Sequence, residues 1–283
     1  MGTKSWKCVR EENGEHFWCA PADMHRLFVD QVIMECPCTV RVVSQEEVHH
    51  ALRVLRLSVG DHIELTDADG GEYIAEIKTA LLNQTEDSVM EVLCLKKIEI
   101  HRESPVEVTL FQGLPKHDKL EFIIQKAVEL GAVRIVPVEC ERCVARIRDA
   151  KDAAKKTERW NRIAHEAAKQ SKRALEPEVL EPVKLKAIQE LTSQDGLKLL
   201  AYEGAALKPL MEHLEEARRR DDLQCRVAIM IGPEGGLTEK EVHELSEMGF
   251  ITIGLGPRIL RTETAGLALL SIIQYVLGDM GGR

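Results

Sequence analysis

The sequence predicts an α/β domain with a mainly parallel sheet, preceded by a small domain of short β-strands. After Pro105, apolar segments of strand length alternate with segments of helix length, the pattern of a parallel sheet with crossover helices. Between Met24 and about Leu95 the apolar runs are short and separated by turn residues, which favours a small barrel. With 283 residues, the chain is long enough for two such domains.

The first 23 residues fit neither domain. They show no clear periodicity, and Met24 opens a segment, MHRLFVD, that is typical of a native start. We therefore interpret residues 1–23 as a disordered or vector-derived extension and leave them out of the fold prediction.

The small domain is predicted over residues 24–95, with one helix among its strands. A capping-box pattern begins at Ser44, and a turn signal, DADGG, lies at residues 67–71. The predicted elements are a helix from Ser44 to Leu55 and strands at His62–Leu65, Tyr73–Ile77 and Val89–Leu95. The polar residues 96–105 are the expected linker.

The second domain is predicted over residues 106–283. Its expected strands are Val106–Phe111, Val133–Val138, Leu197–Tyr202, Arg226–Ile231 and Phe250–Gly254, and its expected helices are Asp118–Leu130, Ala153–Ala174, Leu207–Arg218, Thr238–Met248 and Thr262–Leu277. In a parallel sheet of this kind, ligands bind outside the carboxyl ends of the strands.

The charge distribution is uneven. The net charge is −9, but residues 142–173 contain eleven Lys or Arg and four Asp or Glu, a net +7, which leaves −16 for the rest. Such a basic segment can attract phosphate, although charge alone favours a solvated helix face. No apolar run approaches the roughly 20 residues of a membrane helix, and residues 1–20 lack a secretory apolar core. We therefore expect a cytoplasmic protein.

Eight cysteines raise the question of a metal site. The two close pairs are Cys36-Pro-Cys38 and Cys140-Glu-Arg-Cys143, and they do not provide the two CxxC-like pairs of a structural zinc site. We expect reduced, mostly buried thiols and no metal.

Two loops at the predicted carboxyl ends carry the chemistry. The first, IGPEGG at residues 231–236, is a glycine-rich turn that matches neither a Walker loop nor a GxGxxG fingerprint. The second, GLGPRILR at residues 254–261, has two arginines and leads into a helix, with Thr262 as the expected N-cap. A helix N-terminus with arginines favours an anionic group. Two such loops on successive strands predict a ligand site.

These motifs resemble a known family. GPEGGLTEKEV and LGPRILRTETA are similar to the paired C-terminal motifs of SPOUT-superfamily methyltransferases, specifically the subgroup that methylates N3 of a uridine in small-subunit (16S) ribosomal RNA. The similarity continues through QGLPKHDKLEFIIQKAVELGA, ERCVAR and RWNRIAHEAAKQSKR, and the N-terminal HRLFV and HHALRVLRLSVGD resemble the subgroup's PUA-like domain. It covers about residues 24–280.

The resemblance implies a SPOUT-type parallel sheet with a C-terminal trefoil knot, preceded by a PUA-like β-barrel. It also implies S-adenosylmethionine as methyl donor, small-subunit ribosomal RNA as substrate, and a homodimer with its active sites at the subunit interface. The expected donor-binding residues are Ile231, Gly232, Pro233, Gly235, Gly254, Leu255, Gly256, Leu260, Arg261, Thr264 and Ala265.

Uridine N3 is a poor nucleophile while protonated, so the reaction needs a base or a positive charge beside the developing anion. The candidate catalytic residues are Arg258, Arg261, Glu234 and Glu263, with the carboxylates as bases or merely as pairing groups. The candidate RNA-binding residues are Arg26, Arg53, Arg56, Lys116, Lys119, Arg142, Arg162, Lys169 and Arg173.

Two alternatives remain. The identity of the methylated nucleotide is implied by the resemblance alone. The first alternative is therefore a SPOUT methyltransferase that acts on transfer RNA or on a ribose 2'-hydroxyl. A non-catalytic RNA-binding protein is the second, but it needs no donor pocket, and both donor loops are intact.

Overall fold

The computed structural model describes residues 6–9, 18–21, 24–83, 88–98, 102–203, 209–219 and 225–281. The chain divides into two compact units, Met1–Arg102 and Glu103–Arg283. None of the helices in these described ranges has the length and apolar character needed to cross a membrane.

Residues 1–23, expected to lack regular structure, contain two paired strands. β1 (Trp6–Val9) and β2 (Trp18–Pro21) are antiparallel, with Cys8 opposite Cys19. Aromatic and β-branched residues such as Trp6, Val9 and Trp18 favour strands. Four residues are too few to show the periodicity of a longer core strand, so the sequence did not indicate this pair.

The rest of the first unit is a five-stranded sheet. Its strands are β3 (Arg26–Phe28), β4 (Cys38–Val42), β5 (His62–Thr66), β6 (Glu72–Leu81) and β7 (Val89–Ile98). They lie in the order β3-β5-β6-β7-β4, in which only β3 and β5 are parallel. Alternate apolar residues such as Leu27, Ile63 and Met90 form its core. β7 continues through Ile98, into the segment expected to be a linker.

The helix predicted from Ser44 to Leu55 is shorter and changes type. Ser44 caps α1 (Gln45–His49) by accepting the Glu47 N–H at 3.3 Å, and a π-helical turn follows at His50–Val54. The Glu47 carboxylate accepts the backbone N–H of Phe28 at 3.2 Å. This carboxylate therefore binds the backbone of β3 and does not complete a capping box with Ser44. Sequence spacing could not indicate this partner.

The second unit is an α/β fold with an entirely parallel sheet. Its strands are β8 (Val106–Gly113), β9 (Ala132–Glu139), β10 (Glu178–Val179), β11 (Val183–Lys184), β12 (Leu197–Ala201), β13 (Cys225–Ile231) and β14 (Ile251–Ile253). Its helices are α2 (Lys119–Glu129), α3 (Ala150–Ser171), a 3-10 turn at Leu185–Ala187, α4 (Ile188–Leu191), α5 (Leu210–Arg219), α6 (Glu239–Glu247) and α7 (Thr262–Val276).

The strand order brings distant loops together. The main path is β10-β9-β8-β13-β12-β14, with β11 also paired to β9. Ala201 at the end of β12 lies opposite both Ile231 of β13 and Ile253 of β14. Because the strands are parallel, the segments that follow these three residues leave the sheet at the same edge.

The start of α7 is tied to the centre of the sheet. Thr262, expected as the N-cap, is instead the first helical residue, and Arg261 occupies the N-cap position without a side-chain bond. The Thr262 hydroxyl donates to the Gly232 carbonyl at 2.7 Å and accepts from Gln112 of β8 at 2.8 Å. The expected cap is wrong because tertiary partners take this hydroxyl.

Candidate functional site

A cavity of about 820 Å³ lies at the carboxyl edge of the sheet. This volume falls within the range of roughly 300–1,000 Å³ that is usual for ligand sites. It is lined by three segments, 201–203, 231–237 and 253–262, together with Lys119, Arg142 and Ala265. The segments follow β12, β13 and β14, whose ends the sheet register aligns.

The first wall is the glycine-rich segment 231–237. Gly236 has a φ of +70° and closes a turn by donating its N–H to the Pro233 carbonyl at 2.9 Å. Gly113 at the end of β8 lies so close that a Cβ there would approach Pro233 to 2.6 Å. The turn is therefore packed rigidly against the sheet.

The loop after β9 is hydrogen-bonded to the same turn. Arg142 donates from its guanidinium to the carbonyls of Gly235 at 3.2 Å and Leu237 at 3.4 Å. The neighbouring Glu141 donates its backbone N–H to the carboxylate of Glu241, which also completes the capping box of α6 with Thr238. Arg142, predicted to contact RNA, thus holds the backbone of the glycine-rich segment.

The second wall is the segment 253–262. Gly256 has a φ of +94°, and a Cβ there would meet no atom within 4 Å. Arg258 and Arg261 are exposed at the cavity, and neither side chain forms a hydrogen bond or ion pair with the described part of the chain. The Arg261 carbonyl accepts the N–H groups of Thr264 and Ala265, both at 2.8 Å. Two uncompensated cations are thus presented from a fixed helix start.

Glu234 and Glu263 share one partner. The Lys119 ammonium lies 3.0 Å from a Glu234 oxygen and 3.3 Å from a Glu263 oxygen. Glu234 also accepts the Lys116 backbone N–H at 3.1 Å. Partial burial acts to raise the pKa of Glu234, but hydrogen bonds from backbone N–H groups and from Lys119 outweigh it and lower that pKa below its usual value. Glu234 is therefore a weak base.

All but one of the predicted donor-binding residues line the cavity. The exception is Thr264, which is exposed because it lies on a different face of α7 from Thr262 and Ala265, the two helix residues that line the cavity. Arg258, Arg261 and Glu234 also line it, whereas Glu263 reaches it only through Lys119.

One lining segment, Ala201, Tyr202 and Glu203, contains none of the predicted site residues. Their strand was predicted, but no motif follows it. They line the cavity because β12 pairs with both β13 and β14. The order of the strands along the sequence does not reveal this pairing.

Two of the residues predicted to contact RNA are buried in ion pairs. Arg26 is 3% exposed and pairs with Glu64 at 2.8 Å and Glu72 at 2.5 Å. Arg173 is 5% exposed and pairs with Glu103 at 2.6 Å. A buried guanidinium needs carboxylate partners, and these take the donors that a phosphate would need.

The other predicted RNA residues are nearer the surface. Arg53, Arg56, Lys116 and Arg162 are exposed and Lys169 is half-buried. Lys119 is committed to the two carboxylates and lines the cavity.

The Cys140–Cys143 pair is a buried turn. The Cys140 N–H donates to the Cys143 sulfur at 3.3 Å, and the hydrogen bond between the thiols, with burial, raises the pKa of Cys140. Within the described ranges, no group of three or more His, Cys, Asp or Glu is arranged to hold a metal ion.

Comparisons with known proteins agree with this geometry. A family model for the RNA methyltransferase domain matches residues 102–274, and one for the RNA methyltransferase PUA domain matches residues 43–80. Ribosomal RNA small subunit methyltransferase E of Bacillus subtilis is 39% identical over 255 residues, which cover 89% of this chain and 96% of the relative.

Two solved structures are similar over nearly the whole chain. Ribosomal RNA small subunit methyltransferase E of Neisseria gonorrhoeae, bound to S-adenosyl methionine, is 32% identical with a TM-score of 0.77 and covers 91% of this chain and 100% of its own. A Legionella pneumophila protein in complex with the cofactor SAM is 32% identical with a TM-score of 0.76 and covers 92% and 100%. The chain therefore belongs to the RNA methyltransferase family, among the ribosomal RNA small subunit methyltransferase E proteins.

Proposed function

We propose that this chain transfers a methyl group from S-adenosylmethionine to N3 of a uridine in 16S ribosomal RNA. The observation that carries the proposal is the cavity at the carboxyl edge, where the two motif loops and two unpaired arginines meet. Relatives named as small-subunit RNA methyltransferases, one of them bound to S-adenosyl methionine, support the same reaction.

The lining residues fit such a donor. Leu237, Leu255 and Leu260 offer an apolar wall for an adenine ring, and the space beside Gly256 leaves the backbone accessible to a ligand. Tyr202 and Glu203 add polar groups at the end of β12. An apolar slot with a few convergent polar groups is the usual composition of a cofactor site.

The chain's own residues must make uridine N3 nucleophilic. The bound donor supplies an electrophilic methyl group on a sulfonium. N3 would lose its proton to solvent, and the electron pair left on N3 would form the new N–CH3 bond as the methyl group leaves the sulfonium. Arg261 and Arg258 stabilise the imide anion, because preorganised positive charge is most effective where charge develops. Glu234, with its lowered pKa, is unsuited to take that proton.

The RNA is held by exposed cations. Lys116 and Arg162 lie on the second unit, and Arg53 and Arg56 lie on the first. Contacts of this kind to phosphate position the strand without reading its sequence. Sequence selection then depends on a base that is unpaired or drawn out of its helix before N3 is reached.

The fold of the site supports a knot and a dimer. After β14 the chain returns across β12 and β13, and Thr262 bonds to Gly232 and Gln112. We infer that this return threads the last helix through the preceding loop as a trefoil knot, and that two copies assemble with α7 at their interface.

Tritiated S-adenosylmethionine with small-subunit RNA or assembled subunits tests the function. We expect label in the RNA and 3-methyluridine on nucleoside mass spectrometry. Label in transfer RNA alone, or on a ribose hydroxyl, would replace the proposed target, and donor binding without any transfer would indicate a non-catalytic binder.

A further inference from the structure

Lys119 occupies a central place that the proposed reaction has not yet used. It is the first residue of α2, its side chain is 34% exposed, and its ammonium touches Glu234 at 3.0 Å and Glu263 at 3.3 Å. These carboxylates belong to different elements, the glycine-rich turn after β13 and the first turn of α7. One cation thus joins both walls of the cavity.

This bridge lies beside Arg261, the residue that we expect to act on the substrate. Glu263 is two positions after Arg261 and directly follows Thr262, whose hydroxyl is bonded to Gly232. The start of α7 is therefore fixed by a neutral hydrogen bond through Thr262 and by a charged bridge through Lys119. Both bonds lead back to the turn that contains Gly232 and Glu234.

We propose that Lys119 is a positioning residue for the methyl transfer: its bridge holds Arg261 in register with the glycine-rich turn and keeps Glu234 and Glu263 as paired anions that accept no proton from the substrate. The inference rests on the proposed function and deepens it by assigning the charge arrangement of the site. It removes Lys119 from the RNA-binding set.

The titration behaviour of the bridge agrees with this arrangement. The hydrogen bond to Glu234, followed by that to Glu263, raises the pKa of Lys119 above its usual value, although desolvation opposes the shift. The pKa of Glu234 is lowered despite its partial burial. At neutral pH both Lys119 and Glu234 are therefore charged.

The other charges around the cavity do not replace the bridge. Arg142 is bonded to the carbonyls of Gly235 and Leu237, and Arg258 and Arg261 form no ion pair in the described ranges. Glu203 at the end of β12 adds negative charge. Loss of the Lys119 ammonium therefore leaves Glu234 and Glu263 without a shared counter-ion.

Lys119→Met keeps the length of the side chain and removes its charge. Two carboxylates that approached the same nitrogen then repel, and repulsion raises the pKa of one of them. Below this raised pKa one carboxyl is neutral and the repulsion disappears. The defect of the variant relative to wild type should therefore shrink as the pH falls, which is the opposite of what a glutamate base predicts.

The experiment compares single-turnover methylation across pH 5.5–9 for wild type, Lys119→Met, Lys119→Arg and the double variant Lys119→Met with Glu263→Gln. Lys126→Met is the matched control, because Lys126 lies on the same helix and pairs with Glu129 at 2.7 Å outside the cavity. Ratios to wild type cancel the ionisation of the uridine itself.

We expect Lys119→Met to lose roughly 10-fold in the single-turnover rate at high pH, the factor that corresponds to one pKa unit, and less at low pH. Lys119→Arg and the double variant should recover most of this loss. Carboxyl NMR titration of the free protein, with Glu234→Gln for assignment, should show a higher Glu234 pKa in Lys119→Met.

The positioning role would be overturned if the ratio of the Lys119→Met rate to the wild-type rate is the same at every pH. It would also be overturned if this ratio decreases as the pH falls, and that second result would identify a glutamate as base. A lower rate in the double variant than in Lys119→Met would also overturn the positioning role. If wild type fails to methylate small-subunit RNA, the proposed function fails, whereas the NMR titration still decides whether Lys119 keeps Glu234 ionised.

Discussion

The arginines of this chain differ more in their surroundings than in their chemistry. Arg26 and Arg173 are buried among carboxylates, and Arg142 is bonded to the carbonyls of the glycine-rich turn. Arg258 and Arg261 remain exposed at the cavity, with no partner in the part of the chain that the structure describes. Only the last two are available to act on a substrate anion, and their charge persists at any pH near neutrality.

Arg261→Ala should leave a folded protein with most of its donor affinity but slow methyl transfer by roughly 100-fold or more, the scale of one preorganised electrostatic contact. The reason is that Arg261 contributes its side chain to the cavity and only its backbone to α7. Single-turnover rates at saturating RNA and donor, with calorimetry for the donor alone, check this.

Arg219→Ala is the control, because Arg219 is an exposed arginine on α5 whose contact with Glu215 is long, 3.6 Å. Near-wild-type turnover of Arg261→Ala would show a structural role, and a loss confined to donor affinity would assign the arginine to the cofactor.

Gly256→Ala should weaken donor binding, whereas Gly249→Ala should not. Both glycines have a positive φ, +94° and +91°, and a Cβ at either position meets no atom within 4 Å. The strain of a side chain in this region, about 1–2 kcal/mol in the free energy of unfolding, is therefore shared. Only Gly256 lines the cavity, where the added methyl occupies ligand space.

Chemical denaturation and donor calorimetry on both glycine variants separate the two effects. Equal donor affinity in the two variants would remove Gly256 from the site.

At the scale of elements, α7 links the site to the sheet. Its first residue, Thr262, bonds to β8 through Gln112 and to the end of β13 through Gly232, so helix and turn share one anchor. Its apolar residues are not confined to one face: Leu269 and Ile273 are buried, while Leu267 and Ile272 are only half-buried.

Thr262→Val should reduce both stability and donor affinity, and Thr262→Ser should restore both. Valine keeps the shape but leaves the Gly232 carbonyl and the Gln112 amide without this partner, at a cost of about 1–3 kcal/mol in the free energy of unfolding. Thr192→Val is the matched control, since its buried hydroxyl donates to Ile188 at 2.8 Å, away from the cavity.

Urea denaturation should show a loss in both threonine variants, but calorimetry should show weaker donor binding only for Thr262→Val. Normal donor affinity in Thr262→Val would mean that the anchor does not shape the site.

At the scale of the whole molecule, exposed apolar side chains on two helices favour self-assembly. Tyr275 on α7 is 67% exposed and Phe122 on α2 is 49% exposed, large apolar side chains that a single copy leaves to solvent. Helices α2 and α7 contact each other in the second unit. Their exposed residues therefore offer a surface on which two copies can bury apolar area.

We expect a homodimer in sedimentation at micromolar concentration, weakened by Tyr275→Glu. Met211→Glu is the control, because Met211 is exposed on α5. A wild-type monomer, or equal dimer stability in both variants, would contradict an interface through α7.

The sequence by itself determined the class of the fold, the longer strands and helices of the second unit but not the short β10, β11 and α4, and the two loops around Gly232 and Gly256. These features are local, because periodicity, glycines and turn residues act over a few neighbouring positions. The family followed from the same loops, since long motifs at those positions are specific.

Only the tertiary structure decided which strands are neighbours and which charges are free. It placed Tyr202 beside the cavity by inserting β12 between β13 and β14, and it withdrew Arg26 and Arg173 into buried ion pairs. It also joined Lys119 to carboxylates more than 100 positions away. Burial and long-range pairing depend on the packing of whole elements, and local sequence patterns therefore do not predict them.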